Sequence, residues 1–221
     1  MDMKIIAVAM QKGGVGKSAI ARTLGAAASE AGLNVLVLDM DNQQTTTMWA
    51  RRRKAALPLV KFTTENDLAD ELTRARAAGC ELVIIDTPPA RSTEAPAAVE
   101  AADLVLIPCT ADVEAFEQLP RTARLARTTG KPAVAVLCKA TPNSRSEEAA
   151  ARGVFEALSL PMAPAVLHEF KVHRHAARQG LTAQELEPES KAAGEVQALW
   201  DWVRAELHMP TIAIVHNEAA A

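Results

Sequence analysis

The chain has 221 residues, 49% of them hydrophobic and 3% aromatic, and its formal net charge is -3. This length suits a single α/β domain with a substantial core. The weak negative charge excludes a globally basic nucleic-acid-binding protein, so any DNA contact requires a local basic patch. No stretch approaches the roughly 20 apolar residues of a membrane span, and the three cysteines lack the CxxC spacing of a zinc knuckle. We therefore expect a cytoplasmic protein with reduced thiols and no signal peptide, since the first strand-like run begins at residue 4.

Apolar runs and amphipathic segments alternate along the whole chain, which predicts alternating strands and helices. The predicted strands span residues 4–10, 34–39, 57–62, 82–86, 104–108, 133–138 and 163–167. The predicted helices span residues 17–31, 45–56, 66–78, 94–102, 112–128, 146–158, 170–179 and 189–207, with a kink or a split at Pro120. This order predicts an α/β fold with a doubly wound, mainly parallel sheet flanked by helices, in a single domain over residues 1–209. Residues 210–221 are expected to form a flexible tail.

The most informative motif is QKGGVGKS, residues 11–18, which lies between the first predicted strand and the first predicted helix. In this setting backbone N–H groups bind nucleotide phosphates, and glycines allow the backbone to approach the anion closely. Lys17 is expected to reach the β- and γ-phosphates, and the Ser18 hydroxyl to hold Mg²⁺. The usual pattern, GxxxxGKS/T, has glycine at the position of Gln11, and this loop carries an additional lysine, Lys12. The predicted nucleotide-binding residues are Lys12, Gly13, Gly14, Val15, Gly16, Lys17, Ser18 and Ala19.

Carboxylates close two other apolar runs. Asp39 and Asp41 close the run that begins at Val35, and their spacing places them on the same side of a strand. Asp86 closes the strand 82–86, in the manner of a Walker B acid that holds Mg²⁺. Because the carboxyl ends of parallel strands form the ligand-binding edge of such a sheet, we expect all three acids beside the phosphate loop. Solvated acids at strand ends are the alternative interpretation.

The string KGGVGKS, the segment DMDNQ at 39–43 and the strand ending at Asp86 together resemble the ParA/MinD superfamily of deviant Walker A ATPases. The resemblance covers residues 4 to about 207. It is strongest to small ParA-type partition ATPases, because no helix-turn-helix segment precedes the first strand. It implies a slow, Mg²⁺-dependent ATPase that binds ATP or ADP and forms an ATP-sandwiched homodimer.

The same resemblance implies roles for individual residues. Lys12 and Lys17 contact the phosphates, Lys12 across the dimer interface, and Asp41 orients or activates the attacking water. Residues 87–90 resemble the family's nucleotide-sensitive switch segment. Cys138 stands where relatives often carry asparagine beside the adenine, which implies base recognition mainly by backbone groups. The implied Mg²⁺ residues are Ser18, Asp39 and Asp86.

Two segments concentrate positive charge. Residues 51–54 (RRRK) follow Trp49, and they form either a DNA-facing or dimer-stabilising patch or a solubilising surface. In the second segment the resemblance implies that basic residues bind the DNA backbone without sequence preference, through Lys171, Arg174 and Arg178. The neighbouring histidines are expected to be partly exposed surface groups rather than metal ligands, because nothing nearby in sequence completes a zinc ligand set.

The resemblance implies a function in DNA partition. An ATP-bound dimer would bind non-specific DNA, and hence the nucleoid. A centromere-binding, ParB-like adaptor would stimulate hydrolysis and so release the dimer from DNA. The implied cargo is a plasmid or a chromosome. The alternative is a MinD-like or other cargo-positioning ATPase that acts at a membrane or a protein assembly. Membrane anchoring is not expected, because residues 210–216 are short and uncharged. A metabolic enzyme or an iron–sulfur carrier of the superfamily is a third alternative, for which Cys109 alone is a thin basis.

Overall fold

Strands and helices alternate in the computed structural model, which describes residues 2–89 and 93–210. The strands are β1 (Lys4–Val8), β2 (Val35–Asp39), β3 (Leu59–Phe62), β4 (Leu82–Asp86), β5 (Leu104–Cys109), β6 (Ala133–Ala140) and β7 (Leu167–His168). The helices are α1 (Lys17–Glu30), α2 (Thr45–Arg52), α3 (Glu65–Ala77), α4 (Glu94–Ala101), α5 (Val113–Thr128), α6 (Arg145–Ala157), α7 (Lys171–Arg178), α8 (Ala183–Leu186) and α9 (Lys191–Glu206). No helix in these ranges combines the length and the apolarity needed to cross a membrane. Part of the predicted switch segment and the predicted tail after residue 210 lie outside the described residues.

The strands pair in parallel in the order β3-β2-β4-β1-β5-β6-β7. Strand β1, which leads into the glycine-rich loop, therefore lies within the sheet between β4 and β5. In the strand register Asp39 of β2 pairs with Asp86 of β4, and Asp86 pairs with Val8 of β1. The predicted doubly wound parallel fold is confirmed, and its topology brings the strand-end acids to the edge that carries the loop.

Helices cover both faces of the sheet, and each face packs its own apolar cluster. One cluster contains Leu24 of α1 and Trp200 of α9, and the other contains Leu119 of α5 and Phe155 of α6. Because the chain has few aromatic residues, small and branched aliphatic side chains fill most of both clusters, as is typical of buried parallel strands. Each fully buried leucine or isoleucine stabilises the fold by about 1.5–3 kcal/mol.

Tertiary contacts change several predicted boundaries. Helix α2 ends at Arg52 rather than at residue 56, because Arg53 adopts an extended conformation with ψ of 141°. Of the strand predicted over 163–167 only Leu167 lies in a strand, the two-residue β7, which ends at His168. Helix α5 continues through Pro120, so the predicted split there is wrong.

Helix α8 lies in a stretch without a predicted element. Thr182 is its N-cap, and the Glu185 side chain accepts a hydrogen bond from the backbone N–H of Thr182 at 2.7 Å, which completes a capping box. The sequence TAQE at 182–185 carries the S/T-x-x-E pattern of such a box. A local signal for this helix was therefore present in the sequence.

Gly180, two residues after the end of α7, occupies a position that no other residue fits. Its φ is +72°, and a Cβ there would lie 2.5 Å from the carbonyl carbon of Arg52 and 2.5 Å from the nitrogen of Arg53. We expect Gly180→Ala to lower the free energy of unfolding by roughly 3 kcal/mol, from left-handed strain plus overpacking against backbone atoms. Gly79→Ala is the matched control, because Gly79 has φ of +74° but nothing within 4 Å of the added carbon. Its loss should stay near about 1–2 kcal/mol, and equal losses for the two variants in urea unfolding would contradict the close packing at Gly180.

Candidate functional site

The loop between β1 and α1 has the conformation of a phosphate-binding loop. Gly14 and Gly16 have φ of 78° and 110°, in the left-handed region that favours glycine. Gly16 is also the N-cap of α1, so no side chain caps the helix, and the first helical turn contains no acidic residue. The backbone N–H groups at this helix end are therefore available to an anion.

Lys17, the first residue of α1, is held against the loop. Its side chain is buried, and its Nζ donates a hydrogen bond to the backbone oxygen of Lys12 at 3.0 Å. Burial lowers the pKa of Lys17, while the nearby carboxylates of Asp86 and Asp41 raise it. An ammonium group thus lies among carboxylates at the point where the sequence predicts phosphates.

Asp86, at the end of β4, has the surroundings of a Mg²⁺ ligand. It is fully buried, its Oδ2 accepts a hydrogen bond from the Thr46 hydroxyl at 2.7 Å, and its Oδ1 has no hydrogen-bond partner in the described part of the chain. Burial raises the pKa of Asp86 to about 6, although the hydrogen bond from Thr46 and the nearby Ser18 hydroxyl lower it. A buried carboxylate oxygen without a partner, beside a serine hydroxyl, is a donor set that fits Mg²⁺. Asp86 and Ser18 would hold the ion, which would neutralise charge on bound phosphates.

Asp39 has a different environment. It is fully buried, and its Oδ2 accepts hydrogen bonds from the backbone N–H and the hydroxyl of Thr47, at 2.8 and 2.9 Å. Its Oδ1 accepts a hydrogen bond from the backbone N–H of Asp41 at 3.2 Å. Burial raises the pKa of Asp39, and these hydrogen bonds lower it. Asp39 therefore anchors the first turn of α2 and the turn that carries Asp41.

Asp41 lies beyond the end of β2, so the predicted arrangement of both acids on one side of a strand is wrong. Its side chain is half-buried, and its Oδ1 accepts a hydrogen bond from the backbone N–H of Gln43 at 2.9 Å. Asp41 is close enough to Lys17 to raise the pKa of that lysine. A half-buried carboxylate in this position is suited to orient a water molecule.

Lys12 is bound by a neighbouring helix of the same chain. Its Nζ donates a hydrogen bond to Asp112, the N-cap of α5, and lies 3.6 Å from Glu114. The hydrogen bond to Asp112 raises the pKa of Lys12. Burial raises the pKa of Asp112 less than its hydrogen bonds lower it. The sequence contains no local signal for this pair, because Asp112 lies 100 residues further along the chain.

A cavity of about 80 Å³ lies beside the loop, between α1 and α7. Ala19, Cys138 and Phe170 contribute to its largely apolar wall. Gly16 approaches this wall closely, since a Cβ on it would lie 3.4 Å from the Cβ of Cys138. His173 also lines the cavity, and its buried Nε2 has no hydrogen-bond partner among the described residues. An apolar cleft with an unpartnered imidazole nitrogen, next to a phosphate-binding loop, has the properties of a nucleobase site.

Helix α7 presents positive charge on one exposed face. Lys171, Arg174 and Arg178 are exposed together with His175, and their spacing places all four on the same side of the helix. None of the four forms an ion pair with a carboxylate within residues 2–89 and 93–210. We call this surface the basic face of α7. It contains all three of the residues for which the sequence predicts DNA contacts.

The basic run at 51–54 divides into two groups. Arg51, Arg52 and Lys54 are exposed. The Arg53 side chain, in contrast, is 4% exposed, and its Nη2 lies 2.6 Å from a carboxylate oxygen of Glu185. Arg53 therefore belongs neither to a DNA-facing patch nor to a solubilising surface.

Comparison with known proteins agrees with this geometry. The family model described as "CobQ/CobB/MinD/ParA nucleotide binding domain" matches residues 6–196. The "Maintenance of carboxysome distribution protein A" of Gloeobacter kilaueensis is 33% identical over 206 residues, which cover 92% of this chain and 94% of that protein. A protein named ParA from Rhizobium radiobacter is 32% identical over 108 residues, 48% of each chain. A solved ATP complex of McdA from Cyanothece has a TM-score of 0.75 at 20% identity, with 96% of this chain and 98% of that chain covered. By the extent of the family match and the near full-length relative, the chain belongs to the CobQ/CobB/MinD/ParA family of nucleotide-binding domains.

Proposed function

We propose that the chain is a ParA-type ATPase whose ATP-bound homodimer binds DNA without sequence preference and is released by hydrolysis. One observation carries the proposal: α7 lines the candidate nucleotide cavity through His173 and also carries the exposed basic face. A single helix thus adjoins both candidate surfaces, as coupling between nucleotide and DNA affinity requires. Contacts to phosphates supply affinity that does not depend on base sequence, so this surface suits DNA in general rather than one operator.

The residues at the carboxyl end of the sheet provide the hydrolysis chemistry in this proposal. Lys17 stabilises negative charge on the transferred phosphoryl group. Ser18 and Asp86 hold Mg²⁺, and Asp41 orients the attacking water or accepts its proton. Asp39 supports this arrangement because its carboxylate accepts hydrogen bonds from the backbone N–H groups of Asp41 and of Thr47 in α2. We expect hydrolysis of ATP to ADP and phosphate, slow in the absence of a partner protein.

The homodimer is proposed to form across the edge that carries Lys12. Val113, next to Asp112, is 67% exposed and would be covered at such an interface. In the dimer, each copy would bring its Lys12 to the phosphates bound by the other. Lys12 must first leave Asp112 and Glu114, because one ammonium group cannot form close ion pairs with these two carboxylates and with a phosphate of the partner at the same time.

Removal of the Asp112 charge is expected to favour this dimer. Asparagine is as good an N-cap as aspartate, so Asp112→Asn retains the start of α5 while it weakens the hold on Lys12. A partly exposed ion pair of this kind contributes about 0.5–1 kcal/mol, and the dimer requires release of one such pair in each copy, so ATP-dependent dimerisation should strengthen by about five- to thirtyfold. Mass photometry with ATPγS measures the dimer, and Asp70→Asn, at an exposed position of α3, is the control for net charge. An unchanged or weaker dimer would contradict the required release of Lys12.

The proposed cargo is a plasmid or a chromosome, recruited by a centromere-binding, ParB-like adaptor that stimulates hydrolysis. A protein assembly is the second candidate, because the Gloeobacter relative is named for carboxysome distribution and matches over nearly the full length of both chains. Both candidates use the same ATP-dependent DNA surface and differ in the adaptor. Stimulation of hydrolysis by a protein bound to a specific DNA site would support partition, whereas stimulation by a protein of a larger assembly would support the second candidate.

A membrane-directed function predicts different binding. Wild-type protein with ATPγS and Mg²⁺ is incubated in parallel with bead-bound duplex DNA of random sequence and with vesicles of anionic phospholipid. We expect retention on the DNA and not on the vesicles, and loss of the DNA-bound protein when ADP replaces ATPγS. Retention on the vesicles alone would overturn the proposal in favour of a MinD-like function.

A further inference from the structure

The first contact between α2 and the chain that follows α7 is made by Trp49. This side chain is fully buried, and its Nε1 donates a hydrogen bond to the backbone oxygen of Leu181 at 3.0 Å. The guanidinium groups of Arg53 and Arg22 lie over its ring, at 4.6 and 5.9 Å from the ring centroid. Such cation–π contacts contribute about 0.5–2 kcal/mol each, most when they are desolvated. Trp49 therefore fixes the position of α2 against residues after α7.

Arg53 forms the second contact. Its guanidinium donates to both carboxylate oxygens of Glu185, at 2.6 and 2.9 Å, and to the backbone oxygen of Gly180 at 2.9 Å. Both side chains of the ion pair are largely buried, and a bidentate pair fixes orientation as well as distance. Since Glu185 also caps α8, the pair joins the end of α2 to the turn between α7 and α8. We call the contacts of Trp49, Arg53 and Glu185 the α2–α7 junction.

The α2–α7 junction places Arg52, and with it the exposed last turn of α2, next to the basic face of α7. Arg51 and Arg52 are the exposed last residues of α2, and Arg52 Nη2 donates to the backbone oxygen of Ala177 at 3.3 Å. Ala177 directly precedes Arg178 of the basic face. Neither Arg51 nor Arg52 forms an ion pair with a carboxylate in the part of the chain that the structure describes. Cations gathered without counter-charges repel one another, and bound phosphates relieve that repulsion.

We infer that the DNA surface is composite, formed by the basic face of α7 together with Arg51 and Arg52, and that the α2–α7 junction positions the two parts against each other. The inference rests on the proposed function. In this inference α2 contributes to both sites. Its last turn carries two arginines of the DNA surface, and its first turn carries Thr46, whose hydroxyl donates a hydrogen bond to Asp86 of the nucleotide site. A movement of α2 at its nucleotide end would therefore move two of the arginines that contact DNA.

The first test counts phosphate contacts. The logarithm of DNA affinity falls with the logarithm of salt concentration by about 0.9 per phosphate contact. The double variant Arg51→Ala, Arg52→Ala should lower this slope by about 1–2 and weaken DNA binding about tenfold or more at low salt. Its ATP affinity should stay at the wild-type value. The double variant Arg121→Ala, Arg124→Ala is the matched control, because it removes two exposed arginines from α5 and should leave the slope unchanged.

The second test addresses the junction. Glu185→Gln keeps the shape of the side chain and its capping box, which also accepts glutamine, but removes the charge that pairs with Arg53. If Glu185 acted only through its charge, the loss of a negative group near the basic surface would strengthen DNA binding. A positioning role predicts the opposite, DNA binding about three- to tenfold weaker with unchanged ATP affinity. Trp49→Phe is the second variant: it keeps a buried aromatic ring, loses the bond to Leu181, and should show the same selective loss.

The outcomes separate this inference from the proposed function. Suppose that alanine at the three cations of α7 abolishes DNA binding while the Arg51 and Arg52 double variant keeps wild-type affinity and slope. That result would overturn the composite surface alone. Stronger DNA binding by Glu185→Gln would overturn the positioning role of the junction. Absence of DNA binding by the wild-type protein in every nucleotide state would overturn the proposed function, and the composite surface with it.

Discussion

Replacement of Lys17 with alanine is expected to weaken ATP binding by roughly 10²–10³-fold and to abolish ATP-dependent dimerisation. The physical reason is that Lys17 is a buried ammonium group at the phosphate loop, 3.0 Å from the backbone oxygen of Lys12. Its attraction to phosphate acts where water has little access, so it is much stronger than the same interaction at a surface. Calorimetric titration with ATPγS and Mg²⁺ gives the affinity, and light scattering gives the mass of the complex.

Lys12→Ala is the matched control for this experiment, because it removes the other lysine of the loop. Lys12 is partly exposed and forms an ion pair with Asp112, the N-cap of α5. Removal of the Lys12 side chain should therefore change the ATP affinity of the monomer by no more than about threefold. Only the dimer should be lost. Wild-type ATP affinity in the Lys17 variant would contradict its phosphate-binding role. An equal loss of ATP affinity in both variants would contradict the division of roles between the two lysines.

Asp41→Ala is expected to slow ATP hydrolysis by roughly 10²–10⁴-fold while ATP affinity stays almost unchanged. Asp41 lies close to Lys17 but beyond the end of β2, so it can contact a water molecule without supporting the sheet. The ATP-bound dimer of this variant should therefore persist on DNA. Phosphate release in a single turnover and the lifetime of the complex on immobilised DNA measure the two effects.

Asn42→Ala is the control for Asp41, since it changes the exposed next residue and should hydrolyse ATP at the wild-type rate. Normal hydrolysis by the Asp41 variant would exclude Asp41 as the residue that positions water. Asp39 is a poor substitute for that role, because both of its carboxylate oxygens already accept hydrogen bonds from the protein.

Periodicity in the sequence predicts most of this fold, because parallel strands covered by helices on both faces are continuous apolar runs. The run that ends at Asp86 is an example: all five residues of β4 are buried. The position of each strand in the sheet depends instead on pairing between distant segments. Local pattern therefore predicts the elements but not that β1 lies between β4 and β5.

The phosphate loop is predictable because its requirements are local: left-handed glycines and a lysine and a serine at the start of a helix. The partners of its side chains are not. Asp112 lies far along the chain from Lys12, and its residue type alone marks it only as a helix cap. Thr46, which bonds Asp86, is the middle of three consecutive threonines, and nothing in the sequence distinguishes it from its neighbours.

The basic run at 51–54 shows the same limit. Four consecutive cations cannot share one helix face, so the sequence implies that they differ in environment. Which one is buried is decided by Glu185, 132 residues away from Arg53. Helix α8, in contrast, has a local signal in the sequence, its capping box. It is missing from the predicted helices because it is short, not because its formation depends on a long-range contact.

The decisive measurement is the affinity of the wild-type protein for random-sequence duplex DNA without nucleotide, with ADP and with ATPγS. Fluorescence anisotropy at about 50 and 200 mM salt gives both the nucleotide dependence and the electrostatic share of binding. We expect tight binding only with ATPγS, weakened by roughly tenfold or more at the higher salt concentration. Equal affinity in all three states, or no binding in any of them, would contradict control of DNA binding by the nucleotide.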